Sequence, residues 1–189
     1  ADLYVIDYDA NGGKVSSSTL IVAYDSLYKL ITPVRTGYEF LGWYNGSTLV
    51  SQQGNWSISK NATLVAKWKA KTYTVTYDAG EGTSSVSSAT ATYDESFTLA
   101  TATRTGYTFG GWYYNGEKYT NGIWQTDKDI TLTAKWTANT GTLYVVNHYR
   151  QNIYDSGYTL FDSEELRGVS NSSVTPQVYY YEGFTSPSS

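Results

Sequence analysis

The sequence predicts a mainly β protein made of small units in tandem. The first observation behind this is internal repetition. Arg35-Thr36-Gly37-Tyr38-Glu39-Phe40-Leu41-Gly42-Trp43-Tyr44 returns as Arg104-Thr105-Gly106-Tyr107-Thr108-Phe109-Gly110-Gly111-Trp112-Tyr113, an offset of 69 residues. Tyr8-Asp9-Ala10 returns as Tyr77-Asp78-Ala79 and Tyr24-Asp25 as Tyr93-Asp94, while Ala66-Lys67-Trp68 returns as Ala134-Lys135-Trp136 at an offset of 68. A fixed period of this size is the mark of an array of one structural unit. The second observation is alternation. Tyr4, Ile6 and Tyr8 share one face of an extended segment, as do Tyr73, Val75 and Tyr77 in the next copy. A period of two is a strand signal, and the aromatic–aliphatic–aromatic face is the candidate core face.

Each element follows in order. Leu3 to Tyr8 is the first strand, and Asn11-Gly12-Gly13 supplies residues that accept positive φ, as a hairpin needs. Ser17 to Ala23 is the return strand. Tyr24 to Thr32 has no sustained period and reads as irregular. Pro33 and Gly37 bracket a turn, Tyr38 to Tyr44 is a third strand, and Asn45-Gly46 opens another turn. Thr48 to Lys60 is polar apart from Trp56. Thr63 to Trp68 closes the unit, with Leu64, Ala66 and Trp68 on one face. The reading is four strands per unit. Lys69 to Thr72 is a short link to the second unit, whereas Thr137 to Leu143 is longer and contains Gly141. The second joint is expected to be the looser one.

The ordered motifs Tyr-Asp-Ala-Asn-Gly-Gly, Arg-Thr-Gly-Tyr-x-Phe-x-Gly-Trp-Tyr and Leu-x-Ala-Lys-Trp resemble the Listeria–Bacteroides repeat. This is the B-repeat of internalin-type bacterial surface proteins. The likeness covers roughly residues 3–69 and 73–137. It implies an α+β, ubiquitin-like β-grasp module with a small mixed sheet, carried outside the cell in an elongated head-to-tail array. It implies no catalytic residues. The expected units are residues 1–69, 70–138 and 139–189. The third departs from the repeat and is similar to the mucin-binding-protein-like (MucBP) modules. Such a module ends in a further strand, so this one is expected to be truncated, a monomer's exposed edge.

Composition bounds the function. A net charge of −4 argues against nucleic acid, which calls for a basic patch. No apolar run approaches the ~20 residues of a membrane-spanning helix. No signal peptide opens the chain, which reads as a mature or excised segment. Cysteine is absent, so neither disulfides nor thiolate metal sites hold these small units. Aromatic residues, 16% of the chain, are expected to do so instead. Each buried ring is worth up to about 4–6 kcal/mol, from ~150–250 Å² at ~25 cal/mol/Å².

Candidate chemistry is sparse. Asp7-x-Asp9-x-Asn11-Gly12 resembles the start of a calcium loop, but the twelfth position, where a bidentate Glu belongs, is Ser18. It reads as a hairpin turn, and no metal or cofactor is expected. His148 is the only histidine and lacks a second element for a metal site or a triad. Glu164-Glu165 are neighbours whose side chains diverge on a strand, unlike two carboxyls facing one bond. Asn45, Asn55, Asn61 and Asn171 match the N-glycosylation pattern, which arises easily in so polar a chain. Trp43 and Trp112 read as core. Adjacent tyrosines on a strand point to opposite faces, so Tyr113, Tyr114, Tyr179, Tyr180 and Tyr181 are the candidate ligand contacts.

No nucleophile, base or metal set converges, so an enzyme is not expected. The expected function is an extracellular stalk, attached at the cell surface or cell wall, that presents other domains. The alternative is an adhesin that binds a host protein or glycan through exposed Tyr or Trp. A rod of three units, each about 30–35 Å long, would have a radius of gyration near ~29 Å. A compact chain of this length would have ~16 Å.

Overall fold

A computed structural model describes residues 2–175, 177, 180 and 182. Among them the chain is mainly β and contains no helix. The first unit carries β1 (Leu3–Asp9), β2 (Thr19–Ala23), β3 (Leu27–Lys29), β4 (Tyr38–Asn45), β5 (Thr48–Val50), β6 (Gln53–Asn55) and β7 (Ala62–Ala70). Its sheet runs β2-β1-β7-β4-β5. β1 and β7 are parallel, with Ile6 opposite Ala62 and Tyr8 opposite Leu64, and the other neighbours are antiparallel. β3 and β6 form a separate antiparallel ribbon.

The second unit repeats the plan. It carries β8 (Thr72–Asp78), β9 (Thr83–Ser84), β10 (Ser88–Thr92), β11 (Ser96–Phe97), β12 (Ala102–Thr103), β13 (Tyr107–Tyr114), β14 (Glu117–Lys118), β15 (Gly122–Ile123) and β16 (Ile130–Ala138). The sheet order is β10-β8-β16-β13-β14, and β8 pairs with β16 in parallel. β11 and β15 reproduce the ribbon, and β9 pairs with β12 where the first unit has the single bridge Lys14–Val34. The remainder is a hairpin of β17 (Thr142–Gln151) and β18 (Tyr158–Gly168).

Three expectations need correction, the first being the α+β module, because the described residues form strands and no helix. Each sheet has five strands rather than four, because β5 and β14 pair with the end of β4 and β13 beyond the Asn-Gly turn. Asn115 and Gly46 in those turns have φ of 49° and 60°, the left-handed region that such tight turns use. Tyr24 to Thr32 is not wholly irregular, since Leu27–Lys29 pairs with Gln53–Asn55. That partner lies far away in sequence, so no local period announces it.

The core of each unit is aromatic. Ile6, Trp43, Leu64 and Ala66 are fully buried, Tyr8 nearly so, and Tyr4 and Trp68 pack half-buried against them. Val75, Tyr77, Trp112 and Leu132 take these places in the second unit. A β-bulge between Phe40 and Gly42 slips the register of β4 by one residue. Without it Phe40 and Trp43, an odd number of residues apart, would face opposite sides. With it their rings meet edge to face at 5.6 Å, and Phe40 also meets Trp68 at 5.4 Å. Gly42 and Gly111, with φ of 136° and 115°, make the same bulge in both copies. Trp56 and Trp124, from the polar segments, are 1% exposed and close the core from the ribbon side.

Candidate functional site

The predicted contact tyrosines are divided by the sheet. Tyr114 points inward and packs on the second core. Tyr113 points outward and is half-buried, with the Lys135 ammonium 4.2 Å from its ring centroid. Its counterpart Tyr44 carries Lys67 at 3.8 Å, so the lysine-on-tyrosine pair belongs to the repeat. Tyr180 is 88% exposed, and Tyr179 and Tyr181 lie outside the described residues. No ring contact among the described residues joins Tyr113 or Tyr114 to Tyr180.

The other candidate groups are occupied structurally. Asp9 Oδ1 accepts from the Asn11 amide at 2.8 Å, and Asn11 Nδ2 donates to the Ala66 carbonyl. Asp78 accepts from Gly80 in the same way. His148 Nε2 lies 2.8 Å from Glu164 Oε1, across the hairpin. All six indole N–H groups donate to backbone carbonyls, from Trp43 to Ile31 through Trp136 to Ala79. A tryptophan whose ring is buried and whose N–H is bonded inward presents nothing to a ligand. Among the described residues no group of three or more His, Cys, Asp or Glu gathers to hold a metal. Burial pushes the phenols of Tyr8 and Tyr77 above the ordinary tyrosine value.

A built polar constellation does occur where the first unit meets the second. Only Lys71 separates β7 from β8. Its N–H donates to the Gly37 carbonyl at 2.9 Å, and its carbonyl accepts from the Tyr93 N–H at 3.0 Å. Gly37 has φ of 76° and lies under the Tyr93 ring, where a Cβ would collide with ring carbons. The Tyr38 ring meets Tyr93 edge-on at 5.8 Å, and its hydroxyl donates to Asp94 Oδ2 at 2.6 Å. Arg35 lies over the Tyr38 ring at 3.7 Å, with a guanidinium nitrogen 3.9 Å from the same carboxylate oxygen. The hydrogen bond to Asp94 raises the Tyr38 phenol above its ordinary value, and partial desolvation adds to it. The Arg-Thr-Gly-Tyr motif thus holds the next repeat's Tyr-Asp turn. Sequence reasoning found both motifs but not their meeting; their shared 69-residue offset was the signal available.

The joint between the second unit and the hairpin reuses the backbone. Asn139 N–H donates to the Gly106 carbonyl at 2.9 Å, and the Asn139 carbonyl accepts from Ser170 N–H at 2.9 Å. Gly106 has φ of 78° and sits against the Ser170 side chain. Asn171 takes the left-handed φ of 59° that Asp94 takes at 62°. The side chains differ. Thr108 donates to Asn139 Oδ1 at 2.7 Å, and the Thr142 and Ser170 hydroxyls are 2.5 Å apart. Arg104 lies 3.7 Å over Tyr107 but pairs with Glu81 of its own unit.

The repeats have relatives. Residues 4–67 and 73–135 match the family described as the Listeria-Bacteroides repeat domain. A protein of Evansella cellulosilytica named as a membrane protein is 32% identical over 82% of this chain. A second, named as a Gly-rich membrane protein of that organism, is 30% identical over 73%. Internalin H of Listeria monocytogenes is 28% identical over 73%. The chain spans only 24%, 17% and 26% of these three relatives, in that order. With two matched copies covering most of its length, in sheets that repeat strand for strand, this chain belongs to the Listeria-Bacteroides repeat family.

Proposed function

We propose that this segment is an extracellular, surface-attached spacer that holds other domains away from a cell. The observation that carries this reading is the joint. The two repeats are linked by one residue, Lys71, and its own N–H and C=O are both engaged, one with each unit. A tether needs neither; a strut of fixed direction needs both. The parallel placement of β1 beside β7 adds to it, because a chain that enters at one end of the sheet leaves at the other. The same placement supports reading each unit as a β-grasp variant, with the β3–β6 ribbon covering the core face. The hairpin β17–β18 is read as the start of a MucBP-like module.

In this reading the segment is neither an enzyme nor a cofactor protein; in a second reading a host protein or glycan meets it at tyrosines. That second reading, an adhesin, draws on the exposed rings of the last unit, with Tyr154 97% and Tyr158 66% exposed. Small-angle X-ray scattering separates a strut from a folded-back chain. A radius of gyration near ~29 Å is expected for the strut. A value near ~16 Å in dilute solution removes the physical basis of the spacer and leaves the adhesin. A glycan and host-protein binding array, run beside a variant lacking Tyr154, Tyr158 and Tyr180, tests the second reading directly.

A further inference from the structure

We infer that the Tyr24–Asp25 turn at the head of the first unit is a docking surface for the Arg-Thr-Gly-Tyr turn of another repeat joined ahead of it. The surface does not depend on the spacer role. Tyr24–Asp25 has the backbone of the turn already seen docked. Asp25 has φ of 58° against 62° for Asp94, and its N–H donates to Trp56 as that of Asp94 donates to Trp124. Tyr24 N–H donates to the Asp2 carbonyl, as Tyr93 N–H donates to that of Lys71. Asp2 therefore stands where Lys71 stands, as the link residue whose N–H would meet a preceding glycine carbonyl.

The side chains are set as well. Asn55 donates to Asp25 Oδ1 at 3.0 Å, as Gln125 donates to Asp94 Oδ1 at 2.5 Å. In the second unit this leaves Oδ2 for the Tyr38 hydroxyl. Asp25 Oδ2 has no such donor among the described residues. Tyr24 is 51% exposed, whereas Tyr93 is half-buried beneath the first unit. The surface thus presents an acceptor and an open ring, and the turn that fits such a surface elsewhere in the chain brings a phenol donor, a guanidinium and a glycine without a Cβ. A free second copy of the chain is disfavoured, because the Lys71-type bond pair forms only when the link residue is covalently shared.

The test extends the full chain by placing a further copy of residues 1–69 directly ahead of Ala1, which reproduces the Lys69-Ala70 junction. Hydroxyl-radical footprinting reads ring exposure, with Tyr24→Phe in the added copy so that one Tyr24 is reported. Tyr24 labelling is expected to fall to the level of Tyr93 in the same molecule. Tyr38→Phe with Gly37→Ala in the added copy is expected to restore it. Low labelling of Trp43, Trp56, Trp112 and Trp124 confirms that each repeat is folded in every variant. Labelling of Tyr24 as strong as in the 189-residue chain, with those tryptophans protected, overturns the proposal. So does protection that the two substitutions leave unchanged, or protection that appears in the unextended chain as its concentration rises.

Discussion

The two joints share a backbone and differ in side chains. In both, a link residue donates to the carbonyl of a left-handed glycine and accepts from the following turn. At the first joint this frame is overlaid by an aromatic pair, a phenol–carboxylate bond and a guanidinium. At the second, Tyr93 and Asp94 are replaced by Ser170 and Asn171; the contacts there are hydroxyl and amide ones, and Arg167 donates to the Gly141 carbonyl of the link. The link lengthens from one residue to Asn139–Gly141. The backbone pair occurs at both; among the described residues the ring pair and the carboxylate contacts cross only the first.

The largest effect is expected from Gly37→Ala. A non-glycine residue held at a strained left-handed φ costs about 1–3 kcal/mol, and here the new Cβ must also displace the Tyr93 ring. Gly106→Ala should cost less, since Ser170 can rotate away. Denaturant midpoints at constant slope read both, and equal losses would show that the ring adds nothing.

Tyr93→Ser gives the first joint the chemistry of the second. It removes an aromatic pair worth about 0.5–1.5 kcal/mol. The alignment of the two units, measured by residual dipolar couplings, should loosen to that found between the second unit and the hairpin. Unchanged couplings would assign the rigidity to the backbone pair alone. Tyr38→Phe should cost about 1 kcal/mol, the range of an exposed charged contact rather than a buried one. Tyr107→Phe should cost nothing measurable, because its hydroxyl has no bond among the described residues.

A further, small effect is a pH dependence. The Tyr38 phenol is raised above 10.0 chiefly because its protonated form donates to Asp94. The contribution is therefore complete below the ordinary tyrosine value and is lost as pH rises through the raised one. Inter-unit order at the first joint, followed by 15N relaxation, should decline in that alkaline window while the second joint does not respond to this group. Tyr38→Phe should abolish the difference; a decline that persists in the variant has another origin.

Sequence showed the period, the Tyr4–Ile6–Tyr8 face and the burial of Trp43, because each is written in local spacing. It did not show that Trp56 belongs to the core, since its neighbours are polar and without period. Nor did it show the bulge at Leu41, which breaks the alternation that strand reading relies on. The Tyr38–Asp94 contact joins residues 56 apart in sequence and depends on how one unit sits on the next. Tyr113 and Tyr114 were separable by alternation, but the lysine over the outward ring was not.

The parallel pairing of β1 with β7 also decides how a unit meets tension. A pull on its two ends draws these strands past each other, so the bonds from Ile6–Ala62 to Asp9–Val65 are loaded together, in shear. The hairpin β17–β18 enters at Thr142 and leaves at Gly168, which face each other at one end. The same pull peels it open a bond at a time. Under the same pull the hairpin is expected to open before the parallel pairs of the repeats part.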